Sequence, residues 1–317
     1  MRVVFITHNE LGQACLEELN SLGANVQAVY TRSEQEELAD QTDLAEFTTG
    51  NEIPLHRVES VNTNSVKSQI MDYEPDLLFV VGWSRLVDSE VIRIPSVAAL
   101  GMHPAPLPRG RGRAPLAWSI IKGLDETVLS LFHLVEEADA GDIVGKEPLP
   151  IHIEDDASSL YQKMIKAGRT LMRKHYPEFS NDIVQSTSQD HSRATWWPKR
   201  EPHHGLIDWN QRPDVVYNWI RGQSRPYPGA FSYLRDKKIT IWGANPPEGN
   251  TTFGCPGEIM YQDEGCLGVE VWESTIELTE VQVEGDDPIS AGSLVSNYDF
   301  SIGDTFINAR DFLLETK

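Results

Sequence analysis

VAALGMHPAPLPRGRGRAPLAW (residues 97–118), VLSLFHLV (128–135) and EEADAGDIV (136–144) decide how this chain reads. The first apolar run is a strand ending on His103, and Pro104, Pro106, Pro108 and Pro115 stiffen the loop that follows. Proline fixes its own φ and restricts the residue before it, so such a loop holds a strand-end side chain in place. The second run is another strand, and Asp139 lies in the small-residue loop just beyond it. An imidazole titrating near neutrality can take a proton from an attacking amine or hydroxyl, and a neighbouring carboxylate stabilises the imidazolium. A His and an Asp in two constrained strand-end turns therefore suit proton transfer; Asp142, in the same loop, reads as a loop-capping residue.

The flanking segments set the fold class. RVVFIT (2–7), NVQAVYT (25–31), DLLFVVG (76–82) and VAALGMH (97–103) are short apolar runs. Helical segments separate them: Glu10–Leu22 carries Leu11, Ala14, Cys15, Leu19 and Leu22 at helical spacing, and a further helix is expected around Val61–Asp72. This order predicts an α/β domain with a doubly wound, mostly parallel sheet buried on both faces. Ligands of such sheets sit beyond the carboxyl ends of the strands, where His8, Gly82–Trp83 and His103 fall. IVGKEPLPI adds a strand and Ala157–His175 an amphipathic helix.

Polar residues 180–194 mark a boundary, and the domains are expected at 1–190 and 205–317, with 191–204 as linker. The helix DVVYNWIRGQ (214–223) is stopped by Pro226. After Gly229 come AFSYL, KITIWGA, GEIMY, LGVEVW and IELTEVQV, short strands between turns that predict a small β-barrel or sandwich.

Composition excludes several classes. The 317 residues suffice for one large or two ordinary domains, and no apolar run approaches the roughly 20 residues of a membrane span. The three cysteines have neither disulfide-framework nor CxxC spacing, and MRVVFITHNELG lacks the apolar core of a signal peptide, so a cytoplasmic location is expected. His203, His204 and Asp208 lack a further ligand at suitable spacing, so no metal is expected. GRGRAP lacks the spacing of a dinucleotide loop or a P-loop; its glycines let a loop pass close to a ligand, and Arg109, Arg111 and Arg113 give it positive charge. Of these, Arg113 beside the helix start at Pro115 is the expected anion contact. No GxSxG occurs, which removes that route to a serine nucleophile.

HPAPLPRGRGRAPLAW followed by ADAGDIV resembles the folate-dependent formyltransferases, in which an xHxSLLPxxRGxxP segment precedes a DxGxI loop. ITHNELGQACLEEL resembles the first strand–loop–helix of that family, and GLIDW, RPYPGAFSYL, PGEI and VEVW its carboxyl-terminal domain. GRGRAPL, ADAG and PYPGAF look most like the sugar-nucleotide N-formyltransferases. The resemblance implies a Rossmann-like catalytic domain followed by a small OB-like domain. It also implies formyl transfer from N10-formyltetrahydrofolate to a primary amine, with His103 as general base supported by Asp139.

The pterin is expected beside Trp83, Arg85, Leu86 and Val87 and the loop of Glu137, Ala138, Asp139 and Asp142. The acceptor is expected near His8, Asn9, Pro104, Arg109 and Arg113. The family places Asn two residues before the His to hold the formyl oxygen; here that catalytic position is Gly101. A backbone N–H or a water, or Ser84 or Arg85, has to replace it, or formyl transfer has been lost and binding of folate or a sugar nucleotide kept.

The acceptor follows from charge. The whole chain carries −21, and residues 205–317 hold 8 Lys and Arg against 18 Asp and Glu, a net −10. Gripping tRNA needs the opposite sign. A nucleotide-linked amino sugar is therefore expected rather than methionyl-tRNA, with a homodimer as the form common among sugar-modifying relatives.

Overall fold

The computed structural model describes residues 1–33, 41–181, 184–249 and 251–309. The end of the expected second domain, 310–317, and residues 182 and 183 of the expected boundary lie outside them. The chain divides into two compact units: 1–115 with 126–150 and 161–198, and 116–125 with 151–160 and 199–317. The stretch expected as a linker is thus split, its residues 191–198 grouping with the first unit and 199–204 with the second.

The first unit is built on strands β1 (Arg2–Ile6), β2 (Asn25–Arg32), β3 (Leu55–Val58), β4 (Leu77–Val80) and β5 (Ala98–His103), with the short β6 (Arg111–Gly112), β7 (Glu126–His133), β8 (Ile143–Pro150) and the short β9 (Trp196–Trp197). One sheet runs in the order β3-β2-β1-β4-β5-β7-β8. Its first five strands pair in parallel, while β5–β7 and β7–β8 are antiparallel. The strand order reverses between β1 and β4, the place where ligands bind in such sheets.

Val3, Val4, Phe5 and Ile6 of β1 are fully buried, and Phe5 stacks on Phe79 of β4 at 5.8 Å between centroids. Helix α1 (Glu10–Ser21) opens where Asn9 accepts a hydrogen bond from the Gly12 N–H, an N-cap that satisfies a donor the helix cannot pair. Its Leu11, Cys15 and Leu19 lie one helical turn apart on the buried face. Gly168, in the helix Ala157–His175, sits against Leu11 and Cys15, where a Cβ would come within 2.7 Å of Leu11 Cδ1.

The second unit adds β10 (Ala230–Leu234), β11 (Lys237–Ala244), β12 (Ile259–Gln262), β13 (Leu267–Val271), β14 (Ser274–Val283), β15 (Ile289–Ser290) and β16 (Phe306–Ile307). They form one antiparallel sheet, β12-β13-β14-β11-β10-β16 with β15 on β14, rather than the two facing sheets of a sandwich. Trp209 fills its core, and the buried indole N–H reaches Ser232 Oγ at 3.1 Å. Among the described residues no helix is long and apolar enough to cross a membrane.

Candidate active site at the carboxyl edge of the parallel sheet

β5 delivers His103 to the sheet edge, and the loop after it is pinned at each turn. Ser130 Oγ on β7 donates to the Ala105 carbonyl at 2.7 Å, and Lys146 Nζ to Leu107 O at 2.6 Å. The loop returns so that Gly110 O lies 2.8 Å from His103 Nε2. A carbonyl can only accept, so Nε2 carries the proton and the neutral ring keeps its lone pair on Nδ1. That atom faces Asp139 Oδ1 at 3.6 Å, with the imidazole side chain 8% and the carboxylate 18% exposed.

Asp139 has a left-handed backbone, φ +58°. Asp is among the few non-glycine residues that visit this region readily. Its Oδ2 accepts from the Gly112 N–H at 3.0 Å, which turns Oδ1 toward the histidine. Gly112 has φ +99°, and a Cβ there would lie 2.5 Å from the Trp197 carbonyl. Glycine is therefore required for this amide to reach the carboxylate.

Position 101 offers no side chain, and the structure shows what fills the space. Gly101 is buried in mid-strand, paired with Val80 and with Phe132 on its two sides. Its backbone is engaged in the ladder, so it does not present the freed amide that was one expected substitute for the asparagine. A Cβ would lie 2.7 Å from Leu134 Cδ2. The other expected substitutes point elsewhere: Ser84 Oγ receives Arg32 at 3.1 Å, and Arg85 donates to the Glu59 carbonyl.

The remaining predicted residues separate into several groups. His8 and Trp83 meet edge to face, centroids 5.7 Å apart, at the β1/β4 reversal. The Trp83 Nε1 is buried and has no hydrogen-bond partner among the described residues. Val87 packs beside Trp83 on the same apolar cluster, whereas Leu86 is 72% exposed. Asn9 is committed to capping α1, and Pro104 O receives the Thr127 hydroxyl at 3.4 Å. Asp142 gives its carbonyl to the His133 N–H and its charge partly offsets the burial that lowers the His133 pKa. Ala138 is half-buried and Glu137 exposed, in the turn leading to Asp139.

Arg109 and Arg113 are exposed, while Arg111 is 1% exposed. The charge of the loop is thus turned inward at its middle arginine. Arg111 binds Glu137 at 3.0 Å, Gln189 at 2.9 Å and His191 Nδ1 at 2.9 Å, beneath the Trp196 ring. Sequence reasoning singled out neither Gln189, in the polar segment taken for a boundary, nor Thr195, in the expected linker. Gln189 Nε2 donates to Asp139 O at 2.8 Å and Gly141 O at 2.6 Å, and Thr195 Oγ1 accepts from the Gly110 N–H at 2.9 Å. Nothing in a local window points to them.

Fold and site together define a doubly wound α/β protein with a histidine–carboxylate pair at the carboxyl edge of its sheet. Residues 1–175 match the formyl transferase family and residues 199–299 its C-terminal domain. This chain belongs to the formyl transferase family.

Solved structures with the same fold include HypX from Aquifex aeolicus in complex with tetrahydrofolic acid, at 20% identity and TM-score 0.69 over 96% of this chain. This chain spans about half (48%) of the length of HypX. The N-formyltransferase from Helicobacter canadensis, in complex with folinic acid and dTDP-3-aminofucose, is similar at 17% identity and TM-score 0.64, covering 87% of this chain and 98% of its own. Methionyl-tRNA formyltransferase from Clostridium thermocellum shows 18% identity and TM-score 0.58, covering 79% of this chain and 95% of its own.

Proposed function

We propose that the chain transfers the formyl group of N10-formyltetrahydrofolate to the primary amine of a nucleotide-linked amino sugar. One observation carries the chemistry. His103 has its Nε2–H tied to Gly110 O, leaving Nδ1 as the basic atom, and Asp139 stands 3.6 Å from it. As the amine attacks the formyl carbon, Nδ1 takes its proton and the Asp139 carboxylate stabilises the imidazolium. The same proton then goes to the departing folate nitrogen, so the pair ends the cycle as it began. Base and carboxylate act on one side of the ring, because the other side is occupied by the protein's own carbonyl.

The donor substrate suits the β1/β4 reversal. The buried Trp83 Nε1, without a hydrogen-bond partner among the described residues, is a donor that a polar heterocycle there would satisfy. Family membership and the folate named with two of the similar structures support this reading. The acceptor reading rests on charge: residues 205–317 carry −10, which opposes tRNA and leaves a small diphosphate as the smaller electrostatic demand.

Gly101 favours a second reading, a protein that binds folate or a sugar nucleotide without turning it over. Loss of one oxyanion donor typically costs about 10²–10³ in rate. The assay is amine-dependent release of tetrahydrofolate with a panel of dTDP-, UDP- and GDP-linked amino sugars, and methionyl-tRNA as the rival acceptor. Turnover with a sugar supports the proposal. Turnover with methionyl-tRNA alone refutes the acceptor, and binding without turnover selects the second reading.

A further inference from the structure

We propose that Gln189 is a positioning residue for Asp139, itself held by the buried Arg111, so that Gln189 and Thr195, from one distant polar segment, support the transfer site. This rests on the role of Asp139 argued above. The Gln189 side chain clamps the Asp139 turn across Ala140, donating to the carbonyls of Asp139 and Gly141. Its oxygen accepts from the Arg111 guanidinium. Two carbonyls on one side and a guanidinium on the other admit one orientation of the amide, with every donor used. At 6% exposure water has little access to replace these bonds.

Arg111 grips the other end of the same turn through Glu137. Its neighbour Gly112 supplies the N–H that orients the Asp139 carboxylate. The histidine side is tied to the same segment. Gly110, whose carbonyl sets the His103 tautomer, is held by Thr195 through its N–H. Arg111 and Gly112 pair with Trp196 and Trp197, and Ile143 pairs with Thr187. Both partners of a pair 3.6 Å apart therefore take their positions from one strap. The clamp sits behind Asp139, on its backbone, so Gln189 acts only through it.

Two substitutions test this. Gln189→Met keeps the bulk and removes all three side-chain hydrogen bonds. Gln189→Glu keeps an acceptor for Arg111, and so the fold, but has no N–H for the two carbonyls. Both are expected to lower kcat at least tenfold while KM for formyl-folate and for the amine stays within about twofold, the pattern of an interaction felt only in the transition state. Asp190→Ala, on the same strap but exposed and capping Ser192, leaves kcat unchanged.

Amide hydrogen exchange at Gly112 gives a reading that needs no turnover. Its protection by Asp139 Oδ2 should fall in both Gln189 variants and persist in Asp190→Ala. If wild-type protein fails to turn over, the activity reading fails and exchange alone decides the clamp. Unchanged kcat in an active protein, losses that merely follow the folded fraction, or unchanged Gly112 exchange would each overturn the proposal.

Discussion

Replacing Asp139 with Asn isolates its charge from its geometry. Asparagine adopts the left-handed backbone at φ +58° as readily as aspartate, and its carboxamide oxygen can still accept from the Gly112 N–H. Alanine would lose both advantages, so its effect could not be assigned. What Asn removes is the negative charge 3.6 Å from His103 Nδ1. At an effective dielectric near 20, unit charges at that separation attract by about 4–5 kcal/mol. Partial exposure of the carboxylate screens this, and halving it leaves roughly 2 kcal/mol for the imidazolium formed in the transition state. The expected loss in kcat is therefore between roughly 30-fold and 10³-fold. Steady-state release of tetrahydrofolate at saturating donor and amine measures it, and the thermal midpoint should move by less than about 2 °C. A kcat within threefold of wild type, with folding intact, would show that His103 does not rely on this carboxylate.

Gly101→Asn alone should destabilise, because its Cβ meets Leu134 Cδ2 at 2.7 Å; the double variant Gly101→Asn, Leu134→Ala opens that space. If formyl transfer is limited by the missing donor, the double variant turns over at least tenfold faster than Leu134→Ala, and equal rates would show that the site does without it. Burial lowers the pKa of His133 and of His56, so the unfolded chain binds more protons than the folded one below the ordinary histidine value. Stability should therefore be fully present above about pH 6.5 and decline as pH falls toward the folded-state values, with a shallower decline in His133→Leu measured by urea unfolding. Burial pushes the Cys15 thiol far up and Cys255 is exposed. Thiol labelling followed by mass spectrometry should modify Cys255 first and Cys15 only on unfolding; early labelling of Cys15 would contradict the packing of α1.

Much of the first unit was legible because its signals are local. Apolar runs of strand length and helical spacing in Glu10–Leu22 depend on neighbours a few residues away. The strand ends therefore fell where expected, with His8, Trp83 and His103 at the sheet edge. The antiparallel turn of β7 and β8 was not legible, since an apolar strand reads the same in either direction. Arg111 shows the limit more sharply. Three arginines alternate with glycines in one loop, and sequence favours Arg113 as the contact, yet Arg111 is the one drawn inside. Its partners Gln189 and His191 lie 78 and 80 residues away.

By itself the amino-acid sequence determined the family, the doubly wound sheet and the two residues, His103 and Asp139, that meet at its edge. It also exposed the absence of a side chain at Gly101. Tertiary structure decided the rest: which nitrogen of His103 is free, what orients Asp139, and that Leu134 fills the space beside Gly101. The physical reason is that hydrophobic periodicity and turn chemistry act over a few residues. The tautomer of a ring and the aim of a carboxylate are set by single hydrogen bonds, and those form between whichever distant groups the fold brings within 3 Å.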